Sequence, residues 1–174
     1  EGAASVWCRQ GQVSGVASQD WDVLLYGGPV MIRNLTSHGT RKFGRMVTAE
    51  RIVLDELLEN HGITHEQLVD LGIMVGTDFH PGIRGIGPKT GLKLIKEYGT
   101  IEAVCEAKEK EIPDRLEEIR ELFLNHPIQG DLPQSGMVDE EELRRFLIDE
   151  REFSERRVAR ALDRMKAGGR MRQK

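Results

Sequence analysis

The glycine-rich segment GIRGIGPKTGLKLI, residues 82–95, constrains the fold of this chain more than any other feature. Pro88 stands where the first turn of a helix accepts proline, and the apolar residues that follow it have helical spacing. Because glycine has no Cβ, the turn before this helix can bring its backbone close to a ligand. The segment therefore predicts a tight turn and then a helix over residues 89–98, whose first amides face an anion.

A nucleotide-binding loop of the G-x-x-x-x-G-K-[ST] type is one interpretation of this segment, and its spacing fails by one residue. Gly82, Gly87, Lys89 and Thr90 have the required identities, but Pro88 intervenes and removes an amide that the loop would use. A strand should precede such a loop, whereas a helical pattern precedes this one. A glycine-rich helix connection with a solvated lysine face is a second, purely structural interpretation.

A helix–hairpin–helix agrees best with the residues. Gly85 and Gly87 would let the backbone reach a phosphate, while Ile83 and Ile86 anchor the turn on the core. Three lysines share one face of the second helix at spacings i, i+4 and i+7: Lys89, Lys93 and Lys96. Because such a turn contacts the backbone and not the bases, we predict that it binds DNA irrespective of sequence.

The distribution of charge agrees with a nucleic-acid partner, although the net charge of −4 does not. Residues 155–174 contain eight Lys or Arg and two acidic residues, and residues 82–99 contain four and one. Basic patches of this kind are the usual footprint of nucleic-acid binding, although many basic runs are only solvated surfaces.

Several classes of protein are excluded by composition. A chain of 174 residues with 39% hydrophobic content can form one domain with a core, or two small ones. Cys8 and Cys105 are far apart and the histidines do not cluster, which excludes a disulfide framework or zinc ribbon and favours a reducing, intracellular compartment. We see neither an apolar run long enough to span a membrane nor a secretory signal.

The chain divides into an α/β part, residues 1–62, and a helical part, residues 63–174. Strands are predicted at residues 12–18 and 30–35, with a helix at 21–26 capped by Asp20 and a loop at 37–46. Further helices are predicted at residues 49–60, capped by Thr48, at 65–75, with a capping box of Thr64 and Gln67, and at 101–108, 114–124, 140–149 and 155–166.

Three aspartates flank the glycine-rich segment in a way that suits metal chemistry. Asp20 and Asp22 follow a predicted strand, at the sheet edge where α/β proteins build their sites. Asp78 follows the helix at residues 65–75 and immediately precedes the hairpin. Carboxylates are the ligands that Mg²⁺ prefers, and two such ions could activate a water and neutralise a phosphate. For Asp20 and Asp22 alone, a helix cap and a solvent-exposed residue are the simpler interpretation.

The segment DWDVL also approaches the D-x-D-x-[TV] motif of phosphatases of the haloacid-dehalogenase type, but departs from it at the last position. Those enzymes require an α/β scaffold that the helical two-thirds of this chain does not supply. We therefore rank this alternative lower.

In combination, these segments resemble the flap endonuclease family of structure-specific 5′ nucleases. Their amino-acid sequence is most like that of the family's archaeal members. Residues 17–36, 68–79 and 82–95 resemble the family's segments in order and at compatible spacing, and residues 146–166 resemble its C-terminal segment. The resemblance implies a PIN-like nuclease core, of which this chain carries the C-terminal part, followed by a helix–hairpin–helix region. The chain looks like the C-terminal half of such a nuclease.

The resemblance also implies roles for particular residues. Asp20, Asp22 and Asp78 match three acidic ligands of the family's two Mg²⁺ ions, for which Mn²⁺ can substitute. Glu1 matches the second member of an E-x-E pair in an ungapped alignment; if it is the first member, Ala3 replaces the second. A K⁺ ion is held by backbone carbonyls at positions matched by Gly82, Ile83 and Ile86. The implied DNA-contacting set is Gly82, Arg84, Gly85, Gly87, Lys89, Thr90 and Lys93.

The expected substrate is branched or flapped duplex DNA in replication and repair, in the cytoplasm or nucleoid of an archaeon or the nucleus of a eukaryote. The family's remaining metal-binding aspartates, its catalytic basic pair, its helical arch and its sliding-clamp-binding peptide have no counterpart in these residues. We therefore expect this chain to bind duplex DNA weakly and to cleave little or not at all by itself. The alternatives are a non-catalytic helix–hairpin–helix module and a helical protein-interaction domain that uses residues 139–142 and 156–174.

Overall fold

The computed structural model describes residues 1–37, 39–42, 44–128, 131–134, 136 and 138–171. It forms two compact units, Glu1–Leu132 and Pro133–Lys174. The predicted α/β class is confirmed, and the strands among the described residues lie in the first third of the chain. No helix among the described residues is both long and apolar enough to cross a membrane.

The first unit begins with strands and short helices and continues with helices only. The elements are α1 (Gly2–Arg9), β1 (Val16–Ala17), α2 (Asp22–Leu25), β2 (Val30–Arg33), a 3₁₀ turn (Leu35–Ser37), β3 (Arg41–Lys42), β4 (Arg45–Met46), β5 (Glu50–Val53), α3 (Leu54–His61), α4 (His65–Val75), α5 (Pro88–Tyr98), α6 (Ile101–Ala107) and α7 (Leu116–Leu124).

The main sheet has the strand order β1-β2-β5. Strand β1 runs parallel to β2, with Val16 opposite Met31, and β5 runs antiparallel to β2, with Ile52 opposite Met31. Met31 is fully buried at the centre of a small core that also includes Val23 and Leu24 of α2. Helix α2, which begins at one of the predicted metal ligands, is thereby fixed against the sheet.

The prediction of a single helix over residues 49–60 is wrong in its first half. Residues Glu50–Val53 form β5, the helix starts at Leu54, and its N-cap is Val53 without a side-chain hydrogen bond, so Thr48 is not a cap. The β-branched pair Ile52 and Val53 aligns with Met31 and Val30 of β2. Pairing with a neighbouring strand, which local sequence does not reveal, overrides the helical pattern here.

Other elements escaped prediction. Residues Gly2–Arg9 form α1, and Leu35–Ser37 form a 3₁₀ turn directly after β2. The segment predicted as a loop contains the hairpin β3–β4, and its residues 38 and 43 lie outside the described set. Elsewhere several end signals were correct: Thr64 and Gln67 form the capping box of α4, Gly62 ends α3 with a left-handed backbone, and Pro88 occupies the first turn of α5.

Helices α4 to α7 pack around a second core of buried apolar residues that includes Ile73, Ile95, Val104 and Phe123. The Leu25 and Tyr26 side chains at the end of α2 also belong to this core. Helix α2 therefore contributes to both cores, with its first residues facing the sheet and its last residues facing the helices.

An ion-pair network on Arg120 connects three of these helices. The Arg120 guanidinium of α7 donates two hydrogen bonds, of 2.7 and 2.8 Å, to the buried Asp70 of α4. It also donates to both carboxylate oxygens of Glu102 in α6, and to Glu117 in its own helix. Asp70 in turn accepts a hydrogen bond of 3.0 Å from the Ile101 amide at the start of α6. The hydrogen-bond partners named here for Arg120 and Asp70 all belong to the helical part.

The second unit contains α8 (Glu140–Arg144), a π-helical turn (Arg145–Glu150) and α9 (Glu155–Met171). Asp139 caps α8 by accepting a hydrogen bond from the Glu142 amide. The predicted helix over residues 140–149 is thus split by the π-helical turn, and the final helix continues past residue 166. Val158 and Leu162 form the buried face of α9.

Candidate metal centre and nucleic-acid interface

The loop between β1 and α2 holds two of the predicted acidic ligands in one hydrogen-bonded chain. The Ser18 hydroxyl donates to a carboxylate oxygen of Glu1 at 2.8 Å and accepts from the Asp20 amide at 3.1 Å. The Asp20 carboxylate accepts from the Asp22 amide at 3.1 Å, in the first turn of α2. The N-cap of α2 is Trp21, without a side-chain hydrogen bond, so Asp20 is not the predicted cap, although it accepts from the amide two residues further on. Ser18 connects this loop to Glu1.

The fourth acidic residue, Asp78, approaches the same place from the helical part of the unit. It lies in a turn after α4, where the Thr77 amide donates to the His80 carbonyl at 2.9 Å. The pKa of Asp22 is raised to about 6. Burial of the carboxyl group is the main cause, and three neighbouring carboxylates add to it: those of Asp20, Asp78 and Glu1. The structure therefore places the other three predicted acids within electrostatic reach of Asp22.

The composition of this acidic cluster, Glu1, Asp20, Asp22 and Asp78, fits a hard divalent cation. All its side-chain donors are carboxylate oxygens, which suit Mg²⁺ and Mn²⁺, and their mutual repulsion favours a bound positive charge. Burial raises the pKa of the Tyr26 hydroxyl at the end of α2, and the same four carboxylates add to the shift. In the part of the chain that the structure describes, no three His, Cys, Asp or Glu side chains are arranged closely enough to hold an ion.

The hairpin starts immediately after Asp78 and is fixed to the end of α4. The Gly82 amide donates to Nδ1 of His80 at 3.0 Å, and the Ile83 amide donates to the Met74 carbonyl at 2.8 Å. Gly82 has φ +85°, and a Cβ there would lie 2.5 Å from the Val75 carbonyl oxygen. Glycine is therefore required at this position by backbone conformation and by space.

The turn leads into α5 in the way that the sequence predicted. Gly85 has φ +89° with open space around its Cα, and Gly87 caps α5 without a side-chain hydrogen bond. Because a helix leaves its first amides without intrahelical partners, the start of α5 has donors available for an anion. Lys89 and Lys93 are exposed on the same helix, while Ile86 is buried beneath the turn.

The residues predicted to hold K⁺ lie within this single turn. The Ile83 carbonyl accepts a hydrogen bond of 3.0 Å from the Ile86 amide, which closes the turn. A carbonyl oxygen has two lone pairs, so this bond leaves acceptor capacity at Ile83. Gly82, Ile83 and Ile86 are thus brought together by the structure, and their role as carbonyl ligands stays a prediction.

A basic groove of about 420 Å³ runs along the hairpin and α5. It contains three of the predicted DNA-contacting residues with side chains, Arg84, Thr90 and Lys93. It also contains Lys108 and Lys110, which lie in the connection between α6 and α7 and which the sequence analysis did not identify. These two lysines belong to no motif and reach the groove only because α6 packs against α5.

Two known families match successive parts of the chain. Residues 1–78 match the XPG I-region family, and residues 82–121 match the SAM-like helix-hairpin-helix tandem family. The boundary between the two matches falls between Asp78 and the hairpin.

Among curated proteins, the chain is 45% identical to Flap endonuclease 1 of Methanoculleus marisnigri over 166 residues. This alignment covers 93% of the chain and 49% of that protein. It is 44% identical to Flap endonuclease 1 of Methanothrix thermoacetophila, over 96% of the chain and 51% of that protein. The chain thus spans about half the length of the curated relatives it matches.

Solved structures show the same relationship. Flap endonuclease-1 from Methanococcus jannaschii superposes with a TM-score of 0.75 and 33% identity, covering 93% of this chain and 48% of that one. The Holliday junction-resolving enzyme GEN1, solved in complex with product DNA and a Mg²⁺ ion, shares the fold with a TM-score of 0.58 and 22% identity, over 85% of this chain and 44% of that one. By both sequence and fold, the chain belongs to the flap endonuclease family and is similar to its archaeal members.

Proposed function

We propose that this chain is the metal- and DNA-binding C-terminal half of a structure-specific 5′ flap endonuclease and 5′–3′ exonuclease that acts in DNA replication and repair. The observation that carries the proposal is the proximity of the acidic cluster to the hairpin. Asp78 belongs to the cluster and lies only four residues before Gly82, the first glycine of the turn. A turn that grips duplex DNA would therefore hold it at a short, fixed distance from the acids.

The hairpin and the basic groove would bind the sugar–phosphate backbone. The turn glycines Gly82, Gly85 and Gly87 allow close approach, the first amides of α5 donate to a phosphate, and the side chains of Arg84, Lys89, Thr90 and Lys93 complete the contact. None of these groups reads base identity, so the affinity should depend on salt and duplex shape, not on sequence.

The acidic cluster would hold two divalent ions, Mg²⁺ or Mn²⁺. Bound ions of this kind neutralise charge on a scissile phosphate and lower the pKa of a bound water. The chain's own contribution is to concentrate carboxylates in one place. Asp20 and Asp22 are fixed by the hydrogen bonds of the β1–α2 loop, Glu1 is positioned by Ser18, and Asp78 is fixed by the turn after α4.

The carbonyls of Gly82, Ile83 and Ile86 would hold a monovalent ion, K⁺, which would supply positive charge for a phosphate near the hairpin. Binding to the sliding clamp would belong to a C-terminal peptide that the family carries beyond the region matched by this chain. We expect the 174-residue chain to bind branched duplex DNA and to cleave it weakly or not at all. The reason is that the family's helical arch, which would position the 5′ strand, has no counterpart in these residues. In the full-length protein, Asp78→Asn should abolish cleavage while leaving DNA affinity unchanged.

A non-catalytic DNA-binding module is the second candidate. It is favoured by the finding that, within the described residues, no three metal-ligating side chains are close enough to bind an ion directly. In such a module the hairpin would bind DNA and the acidic cluster would have no ligand. Metal binding distinguishes the two candidates.

We would therefore titrate the chain with Mn²⁺ and follow the free ion by electron paramagnetic resonance. Saturable binding that is lost in the double variant Asp20→Asn/Asp22→Asn supports the nuclease. Asp55→Asn/Glu59→Gln removes the same charge from the exposed face of α3 and should bind Mn²⁺ like the wild type. Equal binding by both double variants would favour the non-catalytic module.

A further inference from the structure

Trp21 is an aromatic residue that the fold does not need for its core. Its side chain is 49% exposed, although tryptophan is mostly buried in folded proteins. It lies between Asp20 and Asp22, so consecutive Cα atoms place it about 4 Å along the chain from each of two proposed metal ligands. A large exposed aromatic at such a place calls for an explanation in terms of binding.

One face of the Trp21 ring is covered by Arg33. The guanidinium carbon of Arg33 lies 4.3 Å from the ring centroid, the distance of a close cation–π stack. Arg33 shares a strand face of β2 with the fully buried Met31, because side chains alternate along a strand. The exposed part of the indole therefore includes ring surface that Arg33 does not cover.

The position of Arg33 is itself fixed. Its guanidinium lies 3.9 Å from the Glu50 carboxylate on the adjacent strand β5, and its side chain is about three-quarters buried. Its Nε is buried and has no hydrogen-bond partner among the described residues. The guanidinium is thus positioned between Glu50 and the ring, and it covers the ring as a cation–π partner.

We propose that Trp21 is a stacking platform for a base of single-stranded DNA next to the acidic cluster. This inference rests on the proposed nuclease function and names a further substrate contact for it. Every base has a π-face, so a rigid indole with one open side binds a base regardless of its identity, with a typical contribution of about 1–3 kcal/mol. The adjacent carboxylates determine which base is stacked: that of a nucleotide whose phosphate lies near the ions. Because Arg33 fixes the ring beforehand, little side-chain entropy is lost on binding.

Intrinsic fluorescence gives a direct test, because the chain has only two tryptophans, Trp7 and Trp21. In a Trp7→Phe background, an oligothymidylate of about 12 nucleotides should quench the emission of Trp21 saturably in the presence of Ca²⁺. An abasic oligonucleotide of the same length carries the same charge without bases and should not quench it. Equal quenching by both strands, or quenching by neither, would overturn the stacking contact.

Variants separate stacking from hydrophobic or purely structural roles. Trp21→Leu should weaken oligothymidylate binding about 5- to 100-fold and leave binding of the abasic strand unchanged, whereas Trp21→Phe should retain most of the affinity. Arg33→Met should increase the mobility of Trp21 in time-resolved anisotropy, while Arg51→Met, on the exposed side of β5, should not. If Trp21→Leu weakens both strands equally, the residue acts on the fold and not on the base.

The outcome can be told apart from a failure of the proposed function. Only the stacking platform is wrong if quenching is absent but the other two tests succeed. In those tests, Mn²⁺ binding is lost in Asp20→Asn/Asp22→Asn, and duplex DNA binding is weakened in Lys89→Ala/Lys93→Ala. If Asp20→Asn/Asp22→Asn binds Mn²⁺ as well as the wild type does, the nuclease proposal fails independently of Trp21.

Discussion

At the scale of single residues, the acidic cluster shows a conflict between folding and binding. Asp22 is partly buried beside three other carboxylates, an arrangement that no requirement of the core explains. The sequence indicated Asp20, Asp22 and Asp78 through their positions at element ends. It did not indicate Ser18, whose contact with Glu1 joins two segments 17 residues apart. A serine in a polar loop has no distinguishing pattern, so only the three-dimensional structure reveals such a contact.

Asp22→Asn should stabilise the metal-free protein at neutral pH. The pKa of Asp22 is raised from 3.8 to about 6 in the folded state, so the folded state binds its proton more tightly than the unfolded state. The resulting penalty is absent below about pH 4, grows as pH rises towards 6 and is complete above that. Allowing for solvent screening, we expect a gain of about 1 kcal/mol at pH 8.

Urea unfolding of both proteins at pH 8 and at pH 3.5, in the presence of a chelator, measures this difference. Added Mg²⁺ should reverse the order of stability at pH 8, because the ion stabilises only the protein with the intact cluster. A variant that is less stable than the wild type at pH 8 without metal would show that Asp22 makes a favourable contact instead.

The two turn glycines with positive φ should respond differently to alanine. At Gly82 an added methyl group would collide with the Val75 carbonyl, whereas at Gly85 it would meet open space. Gly85→Ala carries only the cost of a left-handed backbone, about 1 kcal/mol, and Gly82→Ala should cost at least about 2 kcal/mol more. Guanidinium unfolding of the two single variants compares them, and equal losses would mean that the α4 end yields to the new methyl group.

At the scale of elements, the sequence predicted helix ends from signals within one turn more reliably than contacts between segments far apart in the chain. Several local signals were correct: the capping box of α4, the proline start of α5 and the glycine end of α3 all depend on residues within one turn. The predicted caps Thr48 and Asp20 were wrong. Helix α1 was missed because it has only eight residues and no side-chain cap marks its start. Strand β5 was missed because its pairing partner β2 lies about 20 residues away. The Arg120 network was missed for the same reason, since its members come from three helices far apart in sequence.

The network makes a specific prediction about acid stability. The hydrogen bonds from Arg120 lower the pKa of Glu102 to about 2. Because the folded-state value lies below the unfolded value of 4.5, Glu102 stabilises the fold above pH 4.5, and this contribution is lost as the pH falls towards 2. In Arg120→Met the loss of stability between pH 5 and pH 2.5 should therefore be smaller than in the wild type.

Arg120→Met should also be strongly destabilising at neutral pH, by about 3–5 kcal/mol, because it leaves Asp70 as a buried charge without its partner. Arg115→Met, which removes an exposed pair with Glu118 in the same helix, is the matched control and should change little. Chemical unfolding over the pH range measures both effects. Comparable losses in the two variants would show that burial of Asp70 does not determine the stability of the helical part.

At the scale of the whole molecule, an acidic chain carries basic surface where the proposed DNA contact lies. The net charge of −4 conceals the lysines and arginine of the hairpin and groove, and the acidic cluster begins within a few residues of them. On the proposed function, this arrangement would repel a phosphate backbone from the cluster until cations bind there, while the hairpin would attract it. Resemblance of the motifs to one family predicted this layout, whereas Lys108 and Lys110 required the packing of α6 on α5.

The salt dependence of duplex DNA binding is the most direct test of whether the hairpin binds the DNA backbone. Affinity measured by fluorescence anisotropy over a range of KCl concentrations gives the number of phosphate contacts, at about 0.9 per contact in the log–log slope. For Lys89→Ala/Lys93→Ala we expect weaker binding to every duplex sequence and a slope reduced by about 2. Arg51→Ala, which removes an exposed charge from β5, should leave the slope unchanged. If the double variant keeps the affinity and slope of the wild type, the hairpin does not bind the DNA backbone and the proposed DNA contact is wrong.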